Sequence, residues 1–245
     1  MKIDILTLFP KMFDGFISES IIKRAIDKKK GMNTSITGRA ITKGLLTLEA
    51  VNIRDYAFNK HQKVDDYPYG GGEGMVLMPD PIFRAVDALK DDDSFIILLT
   101  PQGHVYKQKD AYELKSKKHL IILCGHYEGF DERIRSLADV ELSIGDYILT
   151  GGELASMVIT DSIVRLIDGV IAEKSHINDS FKDNLLDYPV YTKPYEYRGM
   201  KVPDVLLSGH HKNIDKWRYD EQVKRTLERR PDLLEKEWLL WLFTN

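Results

Sequence analysis

Phe95-Ile96-Ile97-Leu98-Leu99-Thr100 and His119-Leu120-Ile121-Ile122-Leu123-Cys124 are two short apolar runs with a polar stretch between them. A strand with one wet face alternates apolar and polar side chains. Continuous runs like these mark strands buried on both faces, as in a parallel sheet covered by helices on each side. Between them, Gln108 to Lys117 reads as a helix. Ahead of them, Pro81 to Leu89 carries Ile82, Val86 and Leu89 on one helical face, and behind them Asp131 to Ala138 reads as a third helical segment. Lys2 to Phe9 alternates until Pro10, and Leu46 to Ile53 is a further strand. Strands alternating with helices give an α/β class with a parallel sheet and flanking helices.

Further along, Glu153 to Asp168 is the clearest helix. Leu154, Met157, Val158, Val164 and Ile167 keep helical spacing, and Gly169 stands where a C-terminal cap belongs. Ala172 to Ser180 is polar and aperiodic. Two helix candidates follow, Asn213 to Arg230 and Asp232 to Phe243, broken by Pro231. The expected organisation is one domain over residues 1–170, a flexible linker over 171–180 and a small, mostly helical domain over 181–245.

The chain has 245 residues, 43% hydrophobic and 30% charged, enough to bury a sizeable core. No apolar run approaches the roughly 20 residues that span a bilayer. Asp4 sits where a signal peptide would be basic or apolar. One cysteine, Cys124, leaves no intramolecular disulfide and no cysteine metal cluster. The expected setting is cytoplasmic, without a membrane partner. Net charge is −3, but Lys193 to Lys236 holds 11 Lys and Arg against 8 Asp and Glu, so that segment carries +3 and the remainder −6. A basic C-terminal third on an acidic body suits a protein that grips phosphates there, although a solvated helix face accounts for the same charges. Near the N-terminus, Ser20 to Lys28 is echoed by Ser35 to Lys43 with six of nine positions identical. A single pair is a local duplication, not a solenoid.

Ten of the 17 glycines fall between Gly70 and Gly152. They cluster at Gly70-Gly71-Gly72-Glu73-Gly74, at Gly103, at Gly125-His126-Tyr127-Glu128-Gly129, and around Tyr147 at Gly145 and Gly151-Gly152. Glycine admits close approach of backbone to a ligand, and α/β sheets bind ligands at the carboxyl ends of their strands. Each loop alone is better explained by a tight turn; several together, each at a strand end, favour a pocket. Neither G-x-x-x-x-G-K-[ST] nor a G-x-G-x-x-G after the first strand is present, which disfavours a P-loop enzyme and an ordinary dinucleotide-binding domain.

Longer motifs then come into view. Leu123-Cys124-Gly125-His126-Tyr127-Glu128-Gly129-Phe130-Asp131-Glu132-Arg133 and Ser143-Ile144-Gly145-Asp146-Tyr147-Ile148-Leu149-Thr150-Gly151-Gly152-Glu153 closely resemble the cofactor segments of bacterial TrmD-type tRNA (guanine-N1)-methyltransferases. So do Val64 to Gly72, Asn178 to Phe181, Leu185 to Pro194 and Val202 to His210, in the same order over nearly the whole chain. The resemblance departs in two places: the duplication looks like an insertion, and the sequence stops soon after Trp241.

The resemblance implies a SPOUT-type α/β fold with a deep trefoil knot, and an obligate homodimer whose active site is shared between subunits. It implies tRNA as partner and methyl transfer from S-adenosyl-L-methionine to N1 of guanosine 37, preceded by another guanosine, with S-adenosyl-L-homocysteine as product. It places the cofactor on Pro101, Gly125, Tyr127, Glu128, Gly129, Ile144, Gly145, Tyr147, Leu149, Gly151 and Gly152. Guanine N1 carries a proton at neutral pH, so the reaction needs a base within hydrogen-bond reach and a cationic donor facing O6, where charge builds. No metal is needed to activate a sulfonium methyl; a magnesium requirement is not legible in the sequence. The resemblance assigns the base to Asp179 and the donor to Arg165. Read without it, Asp179 is a helix N-cap and Arg165 a surface partner of Asp161 four residues earlier. Ser180 is expected to orient the nucleotide and Tyr69 to hold a flipped guanine. Lys193, Arg198, Lys201, Lys212 and Arg218, with Lys216, Lys224 and Arg225, are expected on phosphates, each otherwise a solvated charge. Cys124 reads as a small buried side chain and His126 as a residue at the pocket edge. Two other readings stay open: a SPOUT enzyme acting on a different nucleotide, and an RNA-binding protein with a relic pocket.

Overall fold

A computed structural model of the chain describes residues 1–27, 44–171 and 179–234. It divides into two compact units, Met1–Ile171 and Ala172–Asn245. The second copy of the duplicated segment, most of the expected linker and most of the expected helix from Asp232 to Phe243 lie outside the described residues.

The first unit is built on β1 (Lys2–Thr7), α1 (Asp14–Ser18), α2 (Ser20–Asp27), β2 (Thr47–Asn52), β3 (Asp65–Asp66), β4 (Val76–Leu77) and α3 (Pro79–Leu89). There follow β5 (Ser94–Val105), α4 (Gln108–Lys115), β6 (His119–Cys124), β7 (Val140–Ser143) and α5 (Glu153–Val164). Five strands form one sheet in the order β2-β1-β6-β5-β7, and every pairing is parallel.

Period-two alternation sends neighbouring side chains to opposite faces, and here both faces are dry. Ile3, Ile5, Ile97, Leu99, Leu120 and Ile122 pack beneath residues of α2, α4 and α5. Leu6, Ile96, Leu98, Ile121 and Leu123 pack against α3 and against the 3-10 turns Ile53–Tyr56 and Glu132–Leu137. All six residues of β6 are buried, as its unbroken apolar run requires. The alternation expected of β1 is not a wet face: Asp4 and Thr7 are fully buried. Asp4 accepts from Lys2 Nζ at 2.7 Å and meets His119 Nε2 at 2.9 Å. His119 Nδ1 in turn lies 2.7 Å from Ser94 Oγ. Burying these polar side chains is tolerable because Asp4 Oδ2 and both ring nitrogens of His119 find partners, while Asp4 Oδ1 is left without one.

Several elements differ from the sequence reading. Asp131 to Ala138 holds a 3-10 turn in place of an α-helix. α5 ends at Val164, with Arg165 as its cap. Gly169 does take positive φ, +87°, but in the tight turn beyond the helix. The first copy of the duplication is α2, which buries Ile22 and Ala25.

The second unit, by itself, has one described α-helix, α6 (His211–Arg229), and the short antiparallel pair β8 (Glu196–Tyr197) and β9 (Met200–Lys201). Three 3-10 turns, Lys182–Asn184, Asp204–Leu207 and Pro231–Leu233, are its other elements among the described residues. Among the described residues no helix is long and apolar enough to cross a membrane.

Candidate active site

Three loops gather at β5, β6 and β7, which are neighbours in the sheet. The first is a bulge inside β5. Leu99 and His104 both stand opposite Leu142, so Thr100-Pro101-Gln102-Gly103 is extra chain pushed out of the ladder. Pro101 is exposed there, where its missing N–H costs no ladder bond. Gly103 slides under the bulge so closely that a Cβ would lie 2.5 Å from the Glu141 and Leu142 backbone. The apolar run alone predicts a strand ending at Thr100 with a turn after it; the strand instead continues through the bulge to Val105.

The second loop follows β6. Gly129 N donates to His126 O at 3.0 Å, closing a turn in which Tyr127 and Gly129 take φ of +59° and +104°. Glu128 N donates to Met75 O at 3.0 Å and Leu77 N to Gly129 O at 2.9 Å. Through these bonds the loop holds β4 and the glycine run before it. Within that run Gly70 and Gly71 face open space, and Tyr69 is fully exposed.

The third loop follows β7. Ser143 Oγ accepts from Gly145 N at 3.2 Å and donates to Gly145 O at 3.1 Å. Tyr147 N donates to Gly145 O at 2.9 Å, and its hydroxyl to Ile144 O at 3.2 Å. This folds the Tyr147 ring back over Gly145, where a Cβ would meet the ring at 2.5 Å. Tyr147 remains 54% exposed and Ile148 81%, while Leu149 packs against the core.

The second and third loops are joined directly. Gly152 N donates to Gly125 O at 2.8 Å, and His126 and Gly151 form an antiparallel bridge. The fit is tight: a Cβ on Gly152 would sit 2.8 Å from Cys124 Cα, and one on Gly125 2.9 Å from the Phe130 ring. Cys124 beneath them is buried, as expected, and burial pushes its thiol well above the ordinary range. Ten of the expected cofactor residues therefore lie on two interlocked loops, with Pro101 on the bulge of the strand between them.

Arg165 stands half-buried at the end of α5, its amide bonded to Asp161 O at 3.1 Å. In the second unit Asp179 and Ser180 open a tight turn. No α-helix follows: Phe181 N donates to Leu185 O at 2.7 Å, and Phe181, Asp183 and Asn184 all take positive φ. Ser180 Oγ accepts from Asp187 N at 2.9 Å. Beside this turn a cavity of about 570 Å³ is lined by Ser180, Tyr188, Tyr191, Arg225 and Arg229 among others. Tyr188 and Tyr191 belong to the Leu185–Pro194 segment but are not among the expected site residues, nor is Arg229, which follows Arg225 by one helical turn. Of the expected phosphate-binding residues, Lys193 and Lys212 are exposed and Lys201 lies 3.6 Å from Glu196. Arg198 covers Tyr197 at 5.3 Å and Arg218 covers Tyr188 at 5.0 Å.

Comparison with known proteins adds a family. The model of tRNA (Guanine-1)-methyltransferase TrmD matches residues 29–236. The tRNA (guanine-N(1)-)-methyltransferase of Shouchella clausii is 56% identical over 239 residues, 96% of this chain and 92% of that protein. That of Macrococcus caseolyticus is 56% identical over 237 residues with the same coverage. That of Bacillus cereus strain B4264 is 54% identical over 252 aligned positions, covering 98% of this chain and 97% of its own. The interlocked glycine loops and this likeness over almost the full length lead to one conclusion: the chain belongs to the TrmD family of tRNA (guanine-N1)-methyltransferases.

Proposed function

We propose that the chain transfers the methyl group of S-adenosyl-L-methionine to N1 of guanosine 37 in tRNA carrying a guanosine at position 36, releasing S-adenosyl-L-homocysteine. The observation that carries this reading is the Gly125–Gly152 hydrogen bond, which joins the two glycine loops into one wall at the carboxyl end of the sheet.

The wall suits an adenosyl group. Its exposed side chains, Tyr127, Tyr147 and Ile148, offer apolar surface, and the space at the Gly129 Cα is open. When bound, the cofactor supplies an electrophilic methyl carried on a sulfonium. Pro101, Gly125, Tyr127, Glu128, Gly129, Ile144, Gly145, Tyr147, Leu149, Gly151 and Gly152 hold it, through backbone polar groups and apolar contact.

The remaining chemistry belongs to the protein. Asp179 accepts the N1 proton of guanine and so frees the nitrogen lone pair. Arg165 faces O6 and offsets the negative charge that develops there. Ser180 fixes the 180–187 turn through the Asp187 amide and so holds Asp179 in place. Tyr69, exposed on the glycine-rich loop, stacks on the extruded base. Lys193, Arg198, Lys201, Lys212 and Arg218 take phosphates, a set whose affinity falls steeply with salt.

The chain works as a homodimer in the cytoplasm, each active site drawing on both copies, and its backbone is threaded into a trefoil knot. Leu154 and Val158, one turn apart on α5, are each about half exposed and offer an apolar face to a second copy. Residues 171–180 are the linker to the tRNA-binding domain over 181–245. The position choice is tested with two transcripts differing only in guanosine or adenosine at position 36. Methylation confined to the first supports it; equal methylation overturns it.

A further inference from the structure

Arg135 connects the three segments that carry the expected cofactor residues. It sits in the 3-10 turn Glu132–Leu137, six residues after Gly129. The turn is itself anchored: Ile134 is fully buried, and Asp131 N donates to Leu77 O at 3.0 Å. From this base the Arg135 side chain, 23% exposed, bonds through all three of its nitrogens. Nε donates to Glu132 Oε2 at 2.8 Å. Nη1 donates to Glu141 Oε2, and Nη2 to Gln102 Oε1. Glu141 lies on β7, two residues before the Ser143 whose hydroxyl fixes Gly145. Gln102 lies on the bulge of β5, next to Pro101.

The bulge needs such a tether. Thr100 to Gly103 stands outside the ladder, and Pro101 has no N–H to bond. Gln102 N reaches Thr100 Oγ1 at 3.3 Å, a bond within the bulge that ties it to nothing else. Gly103 is held by its close approach to the Glu141 and Leu142 backbone. The Gln102 side chain is held by Arg135. Glu141 thus supports the bulge twice, by its main chain under Gly103 and by its carboxylate through the guanidinium. An exposed ion pair contributes little. Here a planar fork bonds acceptors on two segments at once, a geometry that an ammonium does not reproduce.

We infer that Arg135 is a positioning residue for the cofactor: its guanidinium joins Gln102 to Glu141 and so fixes Pro101 beside the two glycine loops. Without it the bulge keeps its hold at Gly103 and loses the one at Gln102, and the adenosyl group meets a wall that moves. Pre-set geometry of this kind is what hydrogen-bonded support behind a binding residue supplies. This inference rests on the cofactor reading above, in which Pro101 is part of the site.

The test is calorimetric binding of S-adenosylhomocysteine to the full chain. Gln102→Ala removes an exposed side chain and the acceptor facing Arg135. It should bind about tenfold more weakly, as loss of a hydrogen bond to a charged group does, with a thermal midpoint within about 2 °C of native. Gln102→Glu returns an acceptor to the guanidinium and should restore the affinity. Arg135→Lys keeps a charge beside Glu141 without the fork and should bind as weakly as Gln102→Ala. The two changes together should be no worse than either alone, since they break one link. Native affinity in Gln102→Ala, additive losses in the double variant, or no recovery in Gln102→Glu would each overturn the positioning role. Absence of binding by the native chain would instead overturn the cofactor reading.

Discussion

The Gly152 amide and the Gly125 carbonyl meet at 2.8 Å, and this contact makes one surface of two loops that start on strands separated by β5. It tolerates no side chain. A Cβ on Gly152 lies 2.8 Å from Cys124 Cα and 3.0 Å from Gly125 N, both backbone atoms that cannot rotate away. Gly152→Ala should therefore destabilise the protein by about 1–3 kcal/mol, as overpacking does, and weaken S-adenosylhomocysteine binding at least about tenfold. Thermal unfolding and calorimetry check the two effects. Unchanged affinity would detach the loop junction from the cofactor site.

Asp179→Ala should lower turnover by about 10²–10⁴, the range for losing a general base, with S-adenosylhomocysteine affinity within about twofold of native. Asp179 stands at the mouth of a tight turn with no α-helix behind it, so its removal strips no helix cap. A variant that keeps native turnover would remove Asp179 from the chemistry.

Tyr106 offers a pH test of the scaffold. Its hydroxyl meets Ser162 Oγ at 2.6 Å and its amide bonds Ser143 O at 2.8 Å, fastening the end of β5 to α5 and β7. Burial pushes the phenol up to about 12 from its ordinary 10. A folded-state value above the unfolded one contributes stability that is complete below pH 10 and is lost as pH rises toward 12. Tyr106→Phe should cost about 1 kcal/mol at neutral pH, and its stability should fall less than the native protein's between pH 10 and 12. Denaturant titrations across that range decide it; parallel curves would contradict the assignment.

Val158→Asp places a charge on the half-exposed apolar face of α5. Light scattering should show the native chain as a dimer and this variant as a monomer without methyl transfer. A dimeric, active variant would move the interface elsewhere.

Much of this architecture was legible because burial leaves a mark on composition. The apolar runs at Phe95 and His119 announced strands covered on both faces, and those strands form the middle of the sheet beside β1. What escaped was backbone geometry that runs against local propensity. Pro101 and Gly103 read as the end of a strand, yet β5 continues through them because the bulge removes the need for their ladder bonds. β7 is only four residues, Val140–Ser143, too short for periodicity to declare itself. Ile167 extended the helical pattern of α5 past its true end, since a tight turn buries the same face. The glycine clusters were visible individually. Their joining through Gly125 and Gly152 depends on strand order, which no local motif encodes. The buried bond from the Thr7 hydroxyl to the Glu153 carboxylate was likewise hidden: the two residues are far apart in sequence and meet only in the folded unit.

The central claim is tested most directly by incubating the protein with tRNA bearing guanosines at positions 36 and 37 and methyl-labelled S-adenosyl-L-methionine, then digesting the tRNA to nucleosides. The account predicts that the label appears in 1-methylguanosine at position 37, and that Asp179→Ala slows its appearance by about 10²–10⁴. Label in any other nucleoside, or none in tRNA from a protein that binds S-adenosylhomocysteine, would contradict it.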